Sequence, residues 1–301
     1  MHEPFADTPG TPSGPYAAGT LFPTPSPAAL NGGVGWNATG TATGNAAASQ
    51  WNLANSGGAA AGTYRTATSP GLTYSATGYL PPTGNKLTLD ATVANANQNV
   101  GRAFGGQVID SGTTYFSFLI SKNTPDSMRS INVAFFNGTS ERFAIAQVGA
   151  AAGNSGGNLA LYMNNSNPAG IVNSANPIAM GNGVTHLVLG KIEWNAAGFE
   201  TVSMWVDPTD VTTEVAAGPV YASTSAFELT AITGVRPFVG NTVAAGANNP
   251  ALPAVSANFD EIRIGGTWAS VTSEAVAIPE PSAALLMVAG WLAGARRRRA
   301  G

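Results

Sequence analysis

The chain has no cysteine. That excludes a disulfide framework, a thiol nucleophile and any thiolate-ligated zinc site. It has little charge, 10% of residues, and only two histidines. Few transition-metal sites can be built from so few nitrogen ligands. Basic residues are scarce and unevenly placed: of 13 Lys and Arg, four stand in the last six residues, so the body before them carries about −7. A body of that sign makes a poor partner for nucleic acid. Long helical periodicity with capping residues is missing before Ser282, which argues against an α/β enzyme fold.

What is present is hydrophobic alternation, in a chain that is 44% apolar and rich in Gly, with 37. In Lys86–Val93 the odd positions are apolar and the even ones polar, and Glu200–Val206 alternates in the same way. Both patterns specify half-buried strands. Thr113–Ser121, Ser130–Phe136, Glu141–Val148, Asn158–Met163, Thr185–Trp194, Val235–Val243 and Asn258–Trp268 complete the set, with Gly, Asn or Pro at their ends. Regular strands with turn signals between them predict an all-β antiparallel sandwich.

Residues 31–272 are expected to form it as one domain, since no interior linker divides them. Before it, residues 1–30 hold seven prolines; they predict an extended segment packing on the sandwich edge. After it come a linker at 273–281, a short apolar helix at 282–295 and an Arg-rich tail at 296–301.

The end of the chain carries the most specific pattern. Pro279-Glu280-Pro281 precedes the apolar run Ser282–Ala295, which Arg296, Arg297, Arg298 and Arg299 follow. Glu280 near the start and four arginines at the end of such a helix both complement its dipole. Fourteen residues rise roughly 21 Å against a hydrocarbon core of roughly 30 Å, so this is a short transmembrane anchor with its arginines on the cytoplasmic side. The tripartite tail resembles the PEP-CTERM sorting signal of Gram-negative bacteria that secrete exopolysaccharide. The resemblance covers Pro279–Ala300. It implies an exosortase as partner, export, transient anchoring in the inner membrane, and delivery to the cell surface or extracellular matrix. An ordinary tail anchor and a buried C-terminal helix are the alternatives. Met1–Phe5 has neither a basic n-region nor an apolar h-region, so the expectation is a signal segment upstream. Glu3-Pro4-Phe5 and Gly32-Gly33-Val34-Gly35-Trp36 resemble the start of the mature part of similar proteins.

The body carries a second resemblance. His186–Trp194, the turn Asn195–Phe199 and Thr201–Pro208 look like a central hairpin of concanavalin A-like, laminin-G-like jelly rolls, and Asn258–Trp268 looks like their closing strand. This implies a curved sandwich of about a dozen strands whose closing strand lies near the N-terminal segment. It also implies glycan binding, sometimes beside calcium.

Chemistry is harder to find. The Glu-x-Asp-x-x-Glu pattern of the glycosidases on this fold is absent, and Asp260 and Glu261, as strand neighbours, are expected to face opposite ways. Gly153–Gly157 matches Gly-x-Ser-x-Gly around Ser155, but in a Gly-rich loop, with His186 on an apolar strand as its one available base. The body is therefore expected to be non-catalytic.

No cofactor is required, with calcium the exception that Asp207 and Asp210, or Asp110 and Asp126, could hold; the same residues are ordinary turn formers. For a glycan, Trp205 is the sharpest candidate, because it shares a strand face with Thr201 and Ser203, opposite Val202, Met204 and Val206. Trp194 is expected in the core. The expected function is an exported surface or matrix protein that binds exopolysaccharide, with a ligand-free structural or adhesive protein and a polysaccharide hydrolase as alternatives.

Overall fold

The computed structural model describes residues 2–3, 65–80, 82, 84–91, 98–104, 108–124, 129–147, 156–163, 170–240 and 255–273. The sorting motif Pro279, Glu280, Pro281 and Arg296–Arg299, the helix expected at 282–295, Ser155, Asp126 and all of residues 1–30 except His2 and Glu3 lie outside the described residues. Among those that are described, no helix is long and apolar enough to cross a membrane.

Among the described residues, fifteen strands follow in chain order: β1 (His2–Glu3), β2 (Arg65–Thr68), β3 (Lys86–Ala91), β4 (Gln98–Asn99), β5 (Arg102–Ala103), β6 (Thr113–Lys122), β7 (Ser130–Asn137) and β8 (Ser140–Gln147). Then come β9 (Ala160–Met163), β10 (Gly170–Val172), β11 (Thr185–Glu193), β12 (Glu200–Val206), β13 (Ala222–Phe227), β14 (Gly234–Gly240), β15 (Val255–Gly265) and one helical turn, α1 (Ala269–Thr272). They form two antiparallel sheets. The first runs β13-β12-β11-β6-β15-β3-β2 with β1 added on β15, and the second runs β10-β9-β8-β7-β14-β4 with β5 added on β14. This is the antiparallel sandwich that the strand pattern predicts, in the jelly-roll form that the resemblance implies. The closing strand β15 pairs with the N-terminal segment, Arg263 opposite His2 and Ile262 opposite Glu3.

The core lies between the sheets. Leu87, Leu89, Phe116, Phe118, Val188, Ile192, Val202 and Met204 from the first meet Ile131, Val133, Phe135, Phe143, Ile145 and Val235 from the second. Phe135 and Phe143 stack with ring centroids 4.6 Å apart, and Phe116 lies 4.7 Å from Phe135. Gly190 makes room for this cluster, because a Cβ at its position would overlap the Phe116 ring. Trp194 packs at the edge of the same core, as expected, with its indole N–H donated to Thr114 Oγ1 at 2.9 Å.

The outer face of the first sheet departs from simple alternation. It is covered by a second apolar layer in which Leu72, Tyr79, Val211, Trp268 and Val271 from the connections and α1 pack on Leu119, Leu187, Leu189 and Trp205. The strands beneath are thus buried on both sides, like the strands of a parallel sheet between helices.

β15 also carries a β-bulge there. Asp260 pairs with Leu119 and Arg263 with Ser117, so three steps along β15 match two along β6. Glu261 is the extra residue, with φ of 51°. Phe259, Ile262 and Ile264 still point into the core, which leaves Asp260 and Glu261 both on the outer side. The expectation of opposite faces is corrected: it holds only for an uninterrupted pleat.

Candidate functional site

The residues singled out for glycan binding lie on one face, as the pairing of Thr201, Ser203 and Trp205 with Glu193, Lys191 and Leu189 shows. Trp205 is nevertheless only 3% exposed. It packs edge-on to Trp268 at 5.4 Å and donates its indole N–H to the Gly218 carbonyl at 3.1 Å. Ser203 is buried against Ser223, their hydroxyls 2.8 Å apart. The expectation of a sugar platform at Trp205 is corrected, because the 207–218 connection and Trp268 occupy the space a sugar ring would need.

Asp207 and Asp210 have local duties. Asp207 accepts from the Leu187 N–H at 2.9 Å and holds His186 Nδ1 at 2.7 Å, which fixes a buried histidine at the start of β11. Asp210 Oδ1 accepts from the Thr212 N–H and hydroxyl in a tight turn, and these bonds lower its carboxyl from the ordinary value. Asp110 is exposed. Among the described residues no group of three or more His, Asp or Glu could hold a metal ion.

The outer face of the other sheet also carries polar side chains, and most of its residues are buried. Two cross-strand rows define it, since directly paired residues project to the same side. In one, Arg236, Ala134, Ala144 and Tyr162 stand on β14, β7, β8 and β9. Four adjacent strands place Arg236 and Tyr162 about 14 Å apart at the backbone, with two alanines as the floor between them. In the other row Phe238 on β14 is flanked by Asn99 on β4 and Asn132 on β7. Ala134, Phe136, Ala144 and Tyr162 pack together as a patch separate from the core, which confirms that they face outward.

The electrostatics of this face are specific. Arg236 Nη2 bonds Glu141 Oε2 at 2.6 Å, and its guanidinium lies 4.4 Å from the Phe136 ring and 5.2 Å from that of Phe238. Burial lowers the guanidinium from its ordinary value while Glu141 opposes the shift. Burial first, and Glu141 second, raise the Tyr162 phenol, so it keeps its proton well into the alkaline range. Asn99 is 1% exposed and Asn132 4%, yet both side-chain polar atoms of Asn99 and the Oδ1 of Asn132 have no hydrogen-bond partner. A buried amide atom left unpaired costs roughly 1–3 kcal/mol. Native proteins tolerate few such atoms, and a bound water or ligand is a usual reason.

Pro237 contributes to the shape. Its carbonyl accepts from the Val100 N–H at 3.4 Å, so its missing N–H faces the same edge. The ladder to the edge strand breaks there, leaving β4 and β5 as two short pieces.

Sequence reasoning missed all of these residues. The signals were a polar Asn132 inside the apolar Ile131–Phe136 run and a charged Arg236 between Val235 and Pro237. Either could be read as the solvent side of an alternating strand.

No family model matches the chain, and no curated protein does. Solved structures of similar fold do exist. An endo-β-1,4-glucuronan lyase from the fungus Trichoderma reesei matches with a TM-score of 0.38 at 14% identity, over 69% of this chain and 92% of that one. An alginate lyase from Corynebacterium sp. gives 0.40 at 7% identity, over 60% and 76%. The binding domain of botulinum neurotoxin serotype C1 gives 0.40 at 9% identity, over 60% of this chain and 40% of that chain. These are likenesses of fold. They correct one expectation, that of a non-catalytic body. It rested on the absence of a hydrolase carboxylate pattern, and two of the similar structures just named are lyases.

Proposed function

We propose that this is an exported cell-surface or matrix protein whose sandwich engages polysaccharide along the outer face of the seven-stranded sheet. One observation carries the reading of the face: Asn99 and Asn132 hold unpaired amide atoms in a buried row beside Phe238. Aromatic surface for a sugar ring and amides for its hydroxyls are the two parts of a glycan site. The address rests on the C-terminal pattern, Pro279-Glu280-Pro281 with the apolar run and Arg296–Arg299. An exosortase is the processing partner that this pattern calls for, and the host's own exopolysaccharide is the ligand within reach.

A second reading, cleavage of the bound chain, is favoured by Tyr162. Its phenol stands in the same cross-strand row as Arg236, and a phenol can give a proton to a departing sugar oxygen.

The test has two arms. In its own host the protein should lose the segment after about Pro281 and reach the surface or medium, and deletion of the exosortase should leave it intact by mass and membrane-bound. An uncut C-terminus in the normal host would overturn the address. Purified protein should be retained on the host's polysaccharide, and its Asn132→Ala variant should not; equal retention of the two would overturn the face. New chain ends formed by the normal protein but not by Tyr162→Phe would establish the cleavage reading.

A further inference from the structure

We infer that the exposed flap at 212–220, with the adjoining turn α1, is a lipid-contact surface that lies on the membrane while the protein is anchored, an inference that rests on the C-terminal apolar run being the anchor. Distance is its first support. Ser273 follows α1 and is fixed there, its N–H donated to the Ala269 carbonyl at 3.0 Å, while the Thr272 carbonyl accepts from the Leu80 N–H at 3.0 Å. It stands nine residues before Ser282, where the apolar run begins. A fully extended chain covers roughly 30 Å in nine residues, and a body of this size is roughly 45 Å across. Turning the opposite face to the membrane would ask that tether to pass around the body, for which it is too short. The layer that carries α1 is therefore the one held near the lipid.

The flap belongs to that same layer. Trp268, the residue before α1, donates its indole N–H to the Val211 carbonyl at 2.8 Å, and Trp205 donates to the Gly218 carbonyl at 3.1 Å. Between these two fastenings the chain stands outward, with Val215 90% exposed. Val220 just beyond is exposed as well, so two of the five large exposed hydrophobic side chains among the described residues lie here. Charge is kept off the tip. Glu214 is the one charged residue from Val211 to Tyr221, and it is drawn back to the body, where Lys191 Nζ meets Oε1 at 2.6 Å and the Tyr115 hydroxyl donates to Oε2 at 2.9 Å. Gly265–Ser273 beside it carries no charged residue. An uncharged surface with apolar side chains at its crest is what the headgroup boundary accepts without a desolvation cost.

Two valines alone bind lipid weakly, because interfacial binding grows with the apolar area buried. The anchor supplies the rest, since a tethered surface meets the membrane at a high effective concentration. An acidic body gains nothing from anionic lipids, so the contact is apolar and indifferent to salt.

The chain has no cysteine, so Val215→Cys carries a single environment-sensitive dye. Full-length protein is incorporated into vesicles of phosphatidylethanolamine and phosphatidylglycerol and recovered by flotation. The dye at 215 should shift to the blue and be quenched by lipids bearing a headgroup nitroxide, at low and high salt alike. The same dye at Ser140→Cys, an exposed position at the start of β8 in the other sheet, should do neither. A dye at Val220→Cys should be quenched too, and should lose that quenching when Val215→Asp is added. Floated protein whose 215 dye is no more quenched than the one at 140 would overturn the inference and leave the anchor standing. Protein that does not float with the vesicles would overturn both.

Discussion

Asp260 and Glu261 are chain neighbours that point to the same side of the first sheet and hold different parts of its outer layer. Asp260 accepts the N–H of Leu72 at 2.9 Å and that of Glu261 at 2.9 Å. Glu261 binds Arg263 at 2.7 Å, and Arg263 lies 5.0 Å from the Tyr79 ring and donates to the Thr272 carbonyl at 3.3 Å. The 70–80 connection and α1 are thus fastened to β15 through one bulge. A strained φ at Glu261 is the local cost of aiming two carboxylates at one layer.

Removing Asp260 should therefore loosen the layer. Asp260→Ala strands two buried N–H groups, each worth about 1–3 kcal/mol, so the unfolding free energy should fall by about 2–6 kcal/mol in total. Arg263→Leu should cost about 3–5 kcal/mol, because Glu261 loses its counter-charge in the interior. Adding Glu261→Gln to Arg263→Leu should recover a large part of that loss. A double variant no more stable than Arg263→Leu alone would show that the ion pair is not what holds the layer.

The burial of Trp205 separates stability from binding. Trp205→Ala should cost about 3–5 kcal/mol, the range for truncating a packed Trp, with near-ultraviolet dichroism changed by the loss of its edge contact to Trp268. Trp205→Phe should be milder and should leave polysaccharide retention at the wild-type level. Lost retention in a folded Trp205→Phe protein would return the glycan site to the first sheet.

The central strands were legible because they are long runs rich in apolar and β-branched residues between clear turn signals. β3, β6, β7, β8, β9, β11, β12, β14 and β15 each fall on an expected segment within a few residues. The strands that were missed include the sheet edges: β13 and β2 in one sheet, β10 and the split β4 and β5 in the other. An edge strand has one partner, needs fewer apolar residues and can be two to four residues long, so its pattern merges with the turns around it. The candidate site was illegible for a related reason. Asn99 belongs to one of those edges, and only the register brings it beside Phe238 and Asn132. Trp205 was placed on the right face, but its cover comes from residues outside the strands, such as Val211 in the connection after β12 and Trp268 after the last strand.

Tyrosine burial makes the fold sensitive to alkali. Burial is the main reason that the Tyr79 phenol is raised; Arg263 opposes it, and Glu261 and Asp260 add to it. The folded phenol then holds its proton more tightly than the unfolded one, whose pKa is about 10. A group of this kind contributes stability that is fully present below the unfolded value and is lost as pH rises above it. Tyr74, Tyr115, Tyr162 and Tyr221 are raised in the same direction, so the unfolding free energy should be flat near neutrality and fall above pH ~10. Tyr79→Phe should make that alkaline fall less steep. Near neutral pH the same variant should change stability by no more than about 1.5 kcal/mol, the net worth of one hydrogen bond. Urea titrations of both proteins from neutral to strongly alkaline pH measure this, and parallel alkaline slopes would mean that Tyr79 ionises as freely in the folded chain as in the unfolded one.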